Sequence, residues 1–138
     1  MRLVLCGKAR SGVDVQVLLP NAYNDSHWVR FASRSYYDEL LGCGVRISEY
    51  QPTFIHTKLL VVDGSWSVIG SANMDNRSRK LNDEVVLGIS DAPFAARLAN
   101  VIAADQARAQ QITLAQWRQR SVFDRALEWL ALASVQQY

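Results

Sequence analysis

The sequence predicts an α/β fold, a mixed β-sheet flanked by helices, from three observations. Val13, Val15, Val17 and Leu19 alternate with polar Asp14 and Gln16, the two-residue period of a strand. Phe54 to Val62 and Trp66 to Ile69 are strand candidates joined across Asp63-Gly64, a strong hairpin signal. Segments with helical spacing and recognisable caps alternate with these strands, as in a mixed α/β layer.

In chain order, residues 2–10 read as a helix with no capping residue ahead of it, and Val13 to Leu19 as the first strand. Pro20 and the polar run 21–26 form a loop. Asp25 or Ser26 caps a helix running to about Leu41, with Val29, Ala32, Ser33, Tyr36, Tyr37 and Leu40 inward, ended by Gly42 and Gly44. Val45 to Tyr50 is a short strand broken by Pro52, and Phe54 to Val62 is the longest strand. After the hairpin, residues 74–83 are a polar loop and Glu84 to Ile89 a further strand. Asp91 caps a helix that tolerates Pro93 in its first turn. Thr113-Leu114-Ala115-Gln116 is a capping box opening a helical tail over 113–138, with Trp117, Val122, Ala126, Trp129, Leu130 and Ala133 as its apolar stripe. The four tryptophans are expected in the core. The sum is about five strands and three or four helices in one domain, 1–138.

Nearly half of the 138 residues are hydrophobic and a fifth are charged, as in a soluble globular protein. A formal charge of +2 does not by itself argue for nucleic acid or an anionic membrane. Local clusters remain candidates for phosphate: Arg77, Arg79 and Lys80, and Arg118, Arg120 and Arg125. Cys6 and Cys43 make neither a disulfide framework nor a metal ligand set, and are expected as buried free thiols in a reducing compartment. The apolar stretch before Cys6 is too short for a secretory signal, and no run reaches the ~20 apolar residues of a membrane span.

The chemistry concentrates in His56-Thr57-Lys58, Asp63, Gly70-Ser71-Ala72-Asn73 and Asn82-Asp83-Glu84. Residues two apart on a strand share a face, so His56 projects with Lys58, and Ser71 can project with Asn73. An imidazole, an ammonium, a hydroxyl and an amide suit attack on a phosphate ester. His56 acts either as nucleophile on phosphorus or as the acid that protonates the departing oxygen. Glu84 is the carboxylate assigned to fix its tautomer. Lys58, Ser71 and Asn73 hold the phosphate oxygens as charge builds on them. Asp63 opens the Asp-Gly turn, so a structural role is favoured for it. A lone histidine in an apolar strand is usually structural. A lysine on the same face of a buried strand would be costly without a purpose. His27, with no lysine two residues on, is a surface or capping residue.

The pattern H-x-K-x4-D-x6-G-S-x-N resembles the signature of the phospholipase D superfamily. Residues from about Val13 to Asp91 are similar to the C-terminal half of bacterial cardiolipin synthases within it. The segments Gly70 to Ser78 and Leu81 to Glu84 are closer to those lipid enzymes than to the small nucleases, and Trp117-Arg118-Gln119-Arg120 resembles their tail. The resemblance implies a phospholipase D-like half-domain and phosphatidyl transfer through a phosphohistidine, without metal or other cofactor. It also implies His56, Lys58 and Asp63 as catalytic residues, supported by Ser71, Asn73 and Glu84. Family members build one active site from two motif copies, whereas this chain has one. The second half is then expected from an N-terminal region of a longer protein or from an identical chain across a two-fold axis. In the first arrangement His56 is the general acid; in the second it serves both roles.

The expected function is therefore a phosphatidyltransferase or phospholipase D acting on phospholipids at a membrane surface, cytoplasmic and membrane-associated. A dimeric nuclease and a catalytically incomplete half are the alternatives. The modest charge argues against nucleic acid, since duplex binding needs several phosphate contacts.

Overall fold

The computed structural model of the chain describes residues 1–21, 27–73 and 82–135, without the side chains of 27–29, 124, 129 and 131–135. In chain order its elements are α1 (Arg2–Arg10), β1 (Gln16–Pro20), α2 (His27–Arg34), α3 (Tyr37–Gly42), β2 (Arg46–Tyr50), β3 (Lys58–Val62), β4 (Trp66–Gly70), β5 (Val86–Ser90), α4 (Ala92–Gln106), β6 (Ala109–Ile112), α5 (Leu114–Arg118) and α6 (Val122–Val135). They form two compact units, Met1–Phe54 with Ala109–Tyr138, and Ile55–Arg108. The α/β class holds, with the strands paired in two three-stranded sheets.

In the first unit the sheet order is β1-β2-β6, with β1 parallel and β6 antiparallel to β2. Its core gathers Tyr37, Leu40, Val45, Ile47 and Trp117, and the rings of Tyr37 and Trp117 lie 4.8 Å apart. Two glutamates are buried with them. Glu49 meets Arg34 at 2.6 Å, Arg30 at 3.7 Å and the Tyr37 hydroxyl at 3.2 Å. Glu128 meets Arg120 at 2.7 Å. Pairing is what makes these buried charges tolerable.

Several expectations change here. The helix expected to run to Leu41 is two helices, α2 and α3. Ser33 and Ser35 donate their hydroxyls to the carbonyls of Arg30 and Ala32, competing with the backbone ladder where it breaks. Ser33 is exposed, not inward, and the caps assigned to Asp25 or Ser26 lie outside the described residues. The Thr113–Gln116 capping box is present, but its helix ends at Arg118 and α6 starts afresh. Of the tail's apolar stripe, Trp117 is buried, while Val122, Ala126 and Leu130 are exposed. Strand β6 was not expected; Ala109-Gln110-Gln111-Ile112 has no alternation and is held by pairing with β2. Cys6 and Cys43 are not free thiols. Helices α1 and α3 bring their Cα atoms to 5.3 Å, and they form a disulfide.

The second unit is the antiparallel meander β3-β4-β5 with α4 packed on β3 and β4. Asp91 caps α4 by accepting the Phe94 amide at 2.7 Å. Asp63 and Gly64 both take positive φ, 49° and 62°, in the β3–β4 turn, where the Ser65 amide bonds the Val62 carbonyl. Trp66, expected in the core, is 43% exposed on the sheet beside Gly88. Trp28 and Trp129 fall among the undescribed side chains.

Candidate active site

An antiparallel meander returns the start of β3, the finish of β4 and the start of β5 to one end of the sheet. The register sets Lys58 opposite Gly70, and Gly70 opposite Val86. His56, Lys58, Ser71, Asn73 and Glu84 therefore all sit at that end.

The strand expected from Phe54 begins at Lys58, so His56 lies two residues ahead of it rather than on it. The two side chains still meet: Lys58 Nζ is 2.5 Å from His56 Nε2 and 3.3 Å from the His56 carbonyl. An ammonium only donates, so Nε2 accepts, and in that neutral ring the proton belongs on Nδ1. In this arrangement the Nε2 lone pair is taken up by the Lys58 ammonium.

Ser71 and Glu84 form the second pair, with Ser71 Oγ donating to Glu84 Oε2 at 2.5 Å. The same oxygen accepts the Val85 amide at 3.0 Å, and Asn82 Nδ2 donates to Glu84 Oε1 at 3.3 Å. The hydroxyl proton of Ser71 thus goes to the carboxylate, and Ser71 positions Glu84 in this arrangement. Asn82, part of the motif segment but given no role from the sequence, supports Glu84 here. Asn73 is exposed two residues beyond Ser71.

Gly70 explains why the motif has a glycine there. A Cβ at this position would lie 2.3 Å from the Val85 carbonyl oxygen and 3.0 Å from Val86 Cα. Only a residue without one lets β4 approach β5 closely enough for the Ser71 amide to bond Val85 at 2.9 Å.

Asp63 is placed elsewhere. It sits in the turn at the opposite end of the hairpin, about 16 Å along β3 from Lys58 at the usual rise per residue. The Arg77, Arg79 and Lys80 cluster and the side chain of His27 lie outside the described residues. Among the described residues no group of three or more His, Cys, Asp or Glu side chains gathers as metal ligands. No helix among them is long and apolar enough to cross a membrane.

Comparison with known proteins matches residues 2–106 to the family model described as cardiolipin synthase, PLD-like domain. Cardiolipin synthase A of Serratia proteamaculans (strain 568) is 42% identical over 126 residues, which is 91% of this chain and 26% of that protein. Cardiolipin synthase A of Proteus mirabilis (strain HI4320) is 42% identical over 122 residues, 88% of this chain and 25% of that protein. The chain spans about a quarter of the length of these relatives. Among solved structures, Nuc of Salmonella typhimurium, a phospholipase D family member, superposes with a TM-score of 0.69 at 18% identity, over 81% of this chain and 72% of that one. That likeness shows the fold. With the family model covering most of the chain, this protein belongs to the family of cardiolipin synthase PLD-like domains.

Proposed function

We propose that the chain supplies one half of the active site of a phospholipid-directed phosphatidyltransferase of the phospholipase D type. The observation that carries this reading is the gathering of the His56–Lys58 and Ser71–Glu84 pairs at one end of the β3-β4-β5 sheet.

In the reaction, a histidine Nε2 attacks the phosphodiester phosphorus, forming a P–N bond as the bond to the departing alkoxide breaks. The alkoxide takes its proton from a second histidine. An acceptor hydroxyl then gives its proton to that second histidine and attacks phosphorus, breaking the P–N bond. Lys58 and Asn73 hold the non-bridging oxygens, and Glu84, fixed by Ser71 and Asn82, orients the imidazole from behind. Asp63 keeps the hairpin turn. The second histidine comes from another region of a longer protein or from a second copy of the chain, and the substrate is met at a membrane surface.

Phosphatidylglycerol conversion and plasmid nicking, assayed on one preparation whose oligomeric state is set by sedimentation, test this. Lipid conversion by a dimer, lost in His56→Ala with the circular dichroism unchanged, supports the proposal. Nicking without lipid conversion sinks it in favour of a nuclease, and a chain that stays inert in both assays even as a dimer or when joined to a second histidine-bearing half sinks it as well.

A further inference from the structure

We propose that the corner between α5 and α6 docks on membranes carrying anionic phospholipids, with a headgroup phosphate in an arginine-lined pocket. The inference goes beyond the proposed activity, because surface binding requires no turnover at His56. Arg118 at the end of α5, Arg120 in the connection and Arg125 in the first turn of α6 line, with Asp38, a pocket of about 470 Å³.

The three guanidinium groups differ in what already occupies them. Arg120 is committed: it binds Glu128 at 2.7 Å, donates to the Trp117 carbonyl at 2.7 Å and stacks on the Trp117 ring at 3.8 Å. It is a rigid wall of the pocket. Arg118 meets Asp38 at 3.1 Å, but both side chains are more than half exposed, so water and salt weaken that pair. Arg125 has no ion-pair partner among the described residues. With Arg120 balanced by Glu128 and Arg118 by Asp38, the positive charge left over is that of Arg125, and the exposed Arg118 pair can open to add a second guanidinium; such groups match phosphate oxygens in geometry as well as charge.

The second observation concerns the apolar residues at the same corner. Val122 is 81% and Phe123 72% exposed in the first turn of α6, and Val122 lies one turn before Arg125 on the same side. A pocket for a soluble anion leaves these two unexplained. A lipid interface takes both features, with arginines at the headgroups and apolar side chains at the acyl boundary. Nucleic acid is disfavoured by a chain charge of only +2.

Flotation of the full chain with phosphatidylcholine vesicles, with and without phosphatidylglycerol, tests the docking site. Binding should require phosphatidylglycerol and fall with salt. Each basic residue near such a surface is worth about fivefold in partitioning, so Arg125→Glu, a change of two charges, should weaken binding by roughly 25-fold. Phe123→Ser should weaken it by about tenfold. Both positions are exposed, and circular dichroism checks that the fold persists. His56→Ala should bind vesicles as the parent does, which separates this inference from the proposed activity. Equal binding to phosphatidylcholine alone, or binding indifferent to both variants, overturns it. So does displacement by inorganic phosphate at matched phosphate concentration, the mark of a soluble-anion pocket. Oligonucleotide binding lost in Arg125→Glu but kept in Phe123→Ser overturns it in favour of nucleic acid.

Discussion

Replacing Gly70 with alanine probes how closely β4 must approach β5 to build the site. The added Cβ would stand 2.3 Å from the Val85 carbonyl oxygen, where ordinary contact begins near 3.4 Å, so the strands must part by about 1.1 Å. The atom in the way is backbone, and no side-chain rotation relieves it. Parting the strands stretches the bonds between Ser71 and Val85, now 2.9 and 3.0 Å, each worth about 1 kcal/mol net. With the residual overlap, Gly70→Ala should cost roughly 2–4 kcal/mol. Ser71 then loses its grip on Glu84. Urea unfolding gives the total, and native-state hydrogen exchange at the Ser71 and Val85 amides gives the local part, expected to speed up about 30-fold or more for a loss of about 2 kcal/mol. Gly88→Ala is the control: its Cβ would meet only the Trp66 ring, at 3.1 Å, and that half-exposed side chain can move. A Gly70→Ala chain as stable as Gly88→Ala, with Ser71 exchange unchanged, would falsify the close-approach reasoning.

Glu49→Gln should lower stability by about 3 kcal/mol in chemical denaturation, because it leaves Arg34 and Arg30 facing a neutral amide in a largely buried place; a loss below about 1 kcal/mol would contradict the pairing. Burial, and then the charge of Glu49, push the Tyr37 hydroxyl well above the usual tyrosine value. Its contribution to stability is complete below the unfolded value of ~10 and is lost as pH rises beyond it, at up to about 1.4 kcal/mol per pH unit. Urea midpoints should show that alkaline slope, and Tyr37→Phe should flatten it. The Cys6–Cys43 disulfide closes a 37-residue separation, so reduction should cost the first unit about 4 kcal/mol on the chain-entropy estimate. Thiol titration finding two free cysteines before reductant is added would contradict the bond.

Local spacing carried most of what was legible in advance. His56 and Lys58 are two residues apart, and their contact needs only an extended backbone. Asp63-Gly64 encodes its turn, and Asp91 and Thr113 encode their caps, within four residues each. What depends on partners distant in sequence was not legible. The Ser71–Glu84 pair follows from the β4–β5 register and the missing Cβ of Gly70, neither of which spacing reveals. Strand β6 exists because Ile112 pairs with Ile47 on β2, against a local sequence with no strand period. The disulfide likewise needed the packing of α1 against α3. The exposure of Val122 follows from the break between α5 and α6, which helical spacing over 113–138 does not reveal.

The chain has only two histidines, so its imidazole NMR signals can be followed individually while orthovanadate, a mimic of phosphoryl groups in transfer, is titrated in. The His56 ring should respond saturably, the His27 ring should stay still, and Lys58→Ala should abolish the response. A His56 signal indifferent to vanadate, or one that moves equally without the Lys58 ammonium, would mean that this end of the sheet gathers no phosphoryl group.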